Sequence, residues 1–121
     1  MSSYLGFEPT KRPDYYFVSY NNEDAERLSP LMKRFNHNNI PLWYDYGIEY
    51  GSRWEKEIAD RIERCQAVLL FVTKGIFQKE KSYVKIEYDM ATRYFDKAVY
   101  TVIMENIQKG DIPNSFLGWW I

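Results

Sequence analysis

The chain has 121 residues, 16 basic and 17 acidic, for a net charge of -1, with one cysteine and aromatic residues at 18%. That length fits one domain with one core, and the balanced charge argues against a nucleic-acid or anionic-membrane surface, which needs an excess of Lys and Arg. A single Cys65 forms no intrachain disulfide, and no run of about 18 apolar residues or export signal occurs, so a cytoplasmic protein is expected.

Residues 1–13, ending Lys11-Arg12-Pro13, read as a polar N-terminal arm, and the folded part is expected from Asp14 to Ile121. Tyr15-Tyr16-Phe17-Val18-Ser19-Tyr20 is short, apolar and rich in β-formers, which predicts a first strand closed by Asn21-Asn22. Leu28, Leu31, Met32 and Phe35 then recur at helical spacing until Asn36-His37-Asn38-Asn39. Pro30 must kink this helix or sit in the first turn of a later start capped by Ser29.

Ile40-Pro41-Leu42-Trp43-Tyr44 predicts a second strand, followed by a loop from Asp45 to Gly51. Ser52 with Glu55 forms a capping-box pattern ahead of a helix whose Trp54, Ile58, Ile62 and Cys65 share one face. The almost wholly apolar Ala67–Thr73 fits the centre of a parallel sheet. Ser82 can cap a helix running to about Phe95, and Ala98–Met104 is the next strand. The order β-α-β-α-β-α-β predicts an α/β, doubly wound parallel sheet, whose ligands collect at the carboxyl ends of the strands.

The loop after the first strand has no glycine, so neither a dinucleotide fingerprint nor a Walker phosphate loop is present. One histidine, His37, and one cysteine cannot supply a zinc site, and no Gly-x-Ser-x-Gly elbow occurs. The residue that stands out is Glu87, which shares a helical stripe with Tyr83, Ala91 and Tyr94 and is flanked by Ile86, Tyr88 and Met90. A carboxylate among apolar neighbours either pairs with a buried partner or is kept for function, because an unpaired buried charge costs several kcal/mol.

Four segments in order carry a family resemblance. Phe17-Val18-Ser19-Tyr20 leads into Asn21-Asn22-Glu23-Asp24, and Trp43-Tyr44-Asp45 leads to Gly51-Ser52-Arg53-Trp54. Ile58, Ile62 and Cys65 then precede the third strand, and Ser82-Tyr83-Val84-Lys85-Ile86-Glu87 is followed by Ala91. From Asp14 to about Met104 the chain resembles a Toll/interleukin-1 receptor (TIR) domain of the short prokaryotic type.

The resemblance implies the flavodoxin-like TIR fold. Four strands are visible; Ile112–Ile121 resembles the approach to the family's final helix and strand, and an absent or truncated fifth strand is an expectation. It also implies cleavage of the nicotinamide-ribose bond of NAD+ as substrate, with no cofactor and no metal, giving linear or cyclic ADP-ribose in a signalling or antiviral defence role. The family's catalytic glutamate falls on Glu87. Tyr83, Trp43 and Tyr44 are expected as aromatic walls, and Ser19 and Tyr20 as strand-edge groups near the ligand. Asp45 and Tyr46 are expected as loop residues that open or close the site.

Tyr83 stands where the family often has Trp. For Trp43 and Trp54 the competing expectation is core packing. The alternative function is a non-enzymatic adaptor acting through TIR-TIR association by the loop Gly47, Ile48, Glu49, Tyr50 and Gly51, and self-association is implied for either. Nucleic-acid and membrane partners are not expected.

Overall fold

A computed structural model of the chain describes residues 4–46, 52–78 and 83–116. Its strands are β1 (Tyr16–Ser19), β2 (Leu42–Trp43), β3 (Val68–Val72) and β4 (Val99–Ile103), and its helices are α1 (Ala25–His37), α2 (Ser52–Arg64) and α3 (Tyr83–Asp89). The strands pair in parallel in the order β2-β1-β3-β4. The chain thus winds outward from β1 to β2, then crosses to β3 on the other side, which is the topological reversal of a doubly wound sheet.

Alternation along the strands sorts the core into two faces. Val18, Leu42, Tyr44 and Phe71 pack with Leu28 and Met32 of α1 on one face. Phe17, Trp43 and Val68 pack with Trp54, Ile58 and Ile62 of α2 and with Ala91 on the other. Farther along that second face, Leu70 and Val72 meet Val84, Phe77 and Phe116. Among the described residues no helix is long and apolar enough to cross a membrane.

α1 includes Pro30 in its interior rather than starting after it. Ser29 is accordingly not a cap: its hydroxyl donates to the Leu5 carbonyl. The predicted helix end is sharply defined. Asn39 takes φ 63°, Asn39 N–H donates to Asn36 O at 3.2 Å and Ile40 N–H to Phe35 O at 3.1 Å, the paired bonds of a Schellman ending with its Phe35 and Ile40 contact to the same core cluster.

Packed structure also begins earlier than Asp14. Leu5 and Phe7, within the stretch read as a polar arm, are buried in the α1-side cluster. Thr10 N–H donates to Leu42 O at 2.9 Å along the outer side of β2. At the opposite side of the sheet β4 is the outermost strand among the described residues, and Tyr100 and Ile103 are exposed on its two faces.

Beyond β4, residues 109–111 and 114–116 form short 3-10 turns, and Phe116 packs edge-on against Phe77 with centroids 5.1 Å apart. Residues 117–121, on which the fifth-strand expectation bears, lie outside the described residues. The same is true of Ser82, and of the Ser52 side chain, so neither capping prediction is addressed.

Candidate active site

The register of the sheet assembles the site. Tyr16 pairs with Leu42 and Phe17 with Trp43, and Asp45 follows two residues beyond β2, where Tyr46 N–H donates to Tyr44 O at 2.9 Å and turns the chain. Neighbouring strands lie about 4.8 Å apart. Ser19 ends β1 and Asp45 follows β2, so both lie toward the carboxyl ends of adjacent strands, where ligands collect in doubly wound sheets.

α3 lies over this edge and lowers Glu87 onto it. Ser19 Oγ donates to Glu87 Oε1 at 2.5 Å, and both residues are buried. No cation pairs with Glu87 among the described residues. Burial raises the proton affinity of its carboxyl well above the ordinary carboxylate range, the negative charge of Asp45 raises it further, and the Ser19 hydrogen bond partly offsets both.

Asp45 is held from α2, with Trp54 Nε1 donating to its Oδ2 at 3.0 Å. The same indole meets the Tyr83 ring edge to face, centroids 4.7 Å apart and planes at 66°. Tyr83 is 41% exposed whereas Glu87, one helical turn on, is 6% exposed. The exposed Tyr83 ring and the buried acid thus lie one helical turn apart on α3.

After Asp89 the helix widens into a π turn over Met90–Tyr94, with Phe95 N–H donating to Met90 O at 3.1 Å. One extra residue per turn rotates everything beyond it, so Ala91 stays in the core while Tyr94 is 77% exposed. The predicted stripe of Tyr83, Glu87, Ala91 and Tyr94 therefore ends at Ala91. Such turns recur at functional sites.

Several expected site residues sit elsewhere. Tyr44 lies in the α1-side cluster across the sheet from Glu87, its hydroxyl donating to Phe7 O at 2.5 Å and accepting from Leu5 N–H at 3.2 Å. Strand alternation places it there, and its expected role as a ring wall gives way to anchoring the N-terminal segment. Tyr20 is buried in the same cluster.

Tyr46 is 45% exposed, with its ring 5.3 Å from Tyr4 and 6.2 Å from Tyr44. Trp43 is on the Glu87 face but packed against Phe17 and capped by the Arg61 guanidinium 4.8 Å from its ring, which matches the core-packing expectation rather than a ring wall. Asp45, expected to gate the site from a loop, is instead buried. Gly47, Ile48, Glu49, Tyr50 and Gly51 lie outside the described residues.

The polar use of Trp54 was not anticipated. The signal available was chemical: a buried indole N–H usually finds an acceptor, and Asp45 is nine residues before it. Cys65 is a buried free thiol donating to Ile62 O, its pKa raised by burial, and His37 is an exposed helix-end residue. Among the described residues no cluster of three His, Cys, Asp or Glu could hold a metal.

Comparison with protein families gives one model, described as TIR domain, that matches residues 17–118. A search of curated proteins returns no match.

Proposed function

The chain belongs to the TIR domain family, and from that footing we propose that it cleaves the nicotinamide-ribose bond of NAD+ with Glu87 as the catalytic carboxylate. The observation that carries this reading is the burial of Glu87 beside Ser19 at the end of β1, held by one hydroxyl and one helical turn from the exposed ring of Tyr83.

Nicotinamide departs from C1′ with the electron pair of the broken bond and becomes neutral, so no general acid is needed. The ribosyl group is left with positive character shared by C1′ and the ring oxygen, as in glycoside cleavage. Ionised Glu87 opposes that charge, and its attraction strengthens as the bond lengthens. The Ser19 hydroxyl holds Oε1 of that carboxylate. Water then adds to C1′ and gives up a proton to give ADP-ribose; internal capture by a group of the same molecule would give a cyclic product.

The test is to incubate the protein over a range of concentrations with NAD+ and quantify nicotinamide, with Glu87→Ala as control. Release that is lost in the control, and whose specific rate rises with protein concentration, is expected for an enzyme assembled by self-association. No release at any concentration overturns the enzymatic reading in favour of an adaptor that works through TIR-TIR contacts alone.

A further inference from the structure

On its outer side β4 has no neighbouring strand among the described residues. Val68 N–H donates to Ala98 O at 2.9 Å and Met104 N–H to Val72 O at 3.0 Å, so the backbone groups of these two β4-side residues face β3. Backbone direction alternates along a strand, which turns the N–H and C=O groups of Val99, Thr101 and Ile103 outward. Among the described residues no backbone hydrogen bond reaches them. Three donors and three acceptors thus form a row open to pairing with another strand.

This edge lacks the features that usually block such pairing. Natural edges are blunted by Lys, Pro or a bulge, whereas Val99-Tyr100-Thr101-Val102-Ile103 contains no charge and no proline. Its pairing with β3 runs without a bulge from Val68 and Val99 to Val72 and Ile103. Tyr100, Thr101 and Ile103 are exposed. We propose that this edge binds a second copy of the chain, whose β4 pairs with it antiparallel about a two-fold axis through Thr101.

The strand is complementary to itself, which selects that occupant. With Thr101 opposite Thr101, Val99 of each copy lies opposite Ile103 of the other, and every outward N–H and C=O finds a partner. On the opposite face Tyr100 lies beside Val102. Thr with Thr and an aromatic with a β-branched residue are favourable cross-strand pairs, and the exposed Tyr100 and Ile103 each gain an apolar neighbour. A register shifted by two residues would carry one outward residue of each copy past the end of the other strand. Charge does not oppose the approach: Asp96 and Lys97 before the strand are of opposite sign, and Glu105 after it is paired with Arg27 at 2.8 Å.

The two four-stranded sheets would join into one. A single strand pair is small beside the roughly 1,200 to 2,000 Å² of stable complexes, so the association is reversible and follows concentration. β3 separates this edge from the strand that carries Ser19, and the proposal does not rest on the NAD+ reading.

Sedimentation of the full chain over a range of concentrations should show a monomer–dimer equilibrium; a monomer at every concentration would overturn the proposal. Hydrogen exchange locates the contact. Where about nine-tenths of chains are dimeric, the Val99, Thr101 and Ile103 amides should exchange about tenfold more slowly than in dilute protein, because only the monomers leave them open. The Tyr100 and Val102 amides, turned toward β3, should not respond to concentration. Equal protection of all five in the dilute monomer would mean that the edge is covered within the chain and would overturn the proposal.

The axis itself is tested at Thr101, where each copy meets its own side chain. Thr101→Lys and Thr101→Glu should each be monomeric, by repulsion between like charges, and an equimolar mixture of the two should dimerise again. Recovery in the mixture also shows that both variants fold. Variants that dimerise like the parent would place the contact elsewhere, as in the loop 47–51, and overturn the proposal; so would a mixture that stays monomeric.

Discussion

At the scale of single residues, the chemistry of this domain is set by how Glu87 is held. Its raised proton affinity means the folded chain keeps a proton that the unfolded chain releases near the ordinary value of about 4.3. Stability from this group is therefore complete below that value and lost as pH rises through the folded value. Glu87→Gln should abolish most turnover, by about 100-fold or more if it removes the main group opposing the cation, while raising the melting temperature increasingly toward alkaline pH. Ser19→Ala removes the one contact that favours the ionised form. Its pH-rate profile should show an acid limb shifted to higher pH, accompanied by a stability loss of about 1 kcal/mol; an unmoved limb would separate Ser19 from the acid's ionisation.

At the scale of elements, two irregularities matter more than the regular parts. Pro30 is exposed inside α1 and cannot donate to the carbonyl four residues back. Pro30→Ala should therefore stabilise the chain by about 1 to 3 kcal/mol, net of the freedom returned to the unfolded chain, read as a shift in denaturant midpoint. The π turn keeps Ala91 fully buried against the Trp54 face, one turn after Glu87. Ala91→Leu should overpack that contact at a cost of about 1 to 3 kcal/mol and lower turnover beyond what the stability loss explains, because it pushes the turn carrying the acid away from Ser19. The alternating elements, the end of α1 within Asn36-His37-Asn38-Asn39 and the apolar stripe of α2 were legible because each rests on local period or local backbone chemistry. The π turn was not, since a one-residue insertion leaves the apolar composition unchanged and only rotates Tyr94 outward. Nor was the assignment of Tyr44 to the far face, because a strand two residues long carries too little alternation to fix which side each ring takes.

At the scale of the whole molecule, pairing along the chain decides where the fold begins. Sequence polarity over residues 1–13 concealed two apolar anchors, Leu5 and Phe7, because Glu8, Lys11 and Arg12 outweigh them in any average over the stretch. Three residues grip that segment: Ser29 of α1 bonds Leu5 O, the Tyr44 hydroxyl bridges Leu5 N–H and Phe7 O, and Leu42 O receives Thr10 N–H. Fully burying two large apolar side chains is worth about 1.5 to 3 kcal/mol each, a large share of the roughly 5 to 15 kcal/mol that holds a domain together. Removing residues 1–9 should thus cost about 3 to 6 kcal/mol and uncover the α1-side cluster. Thermal melting with dye binding to exposed apolar surface reads both effects. A truncated chain that melts within 2 °C of the parent, against a few degrees for each kcal/mol lost in a domain of this size, would return the start of the fold to Asp14. If instead the truncation lowers the melting point as expected, Tyr44→Phe should reproduce part of the loss, about 1 to 3 kcal/mol, by stripping the same segment of its two hydroxyl bonds while leaving every apolar contact in place.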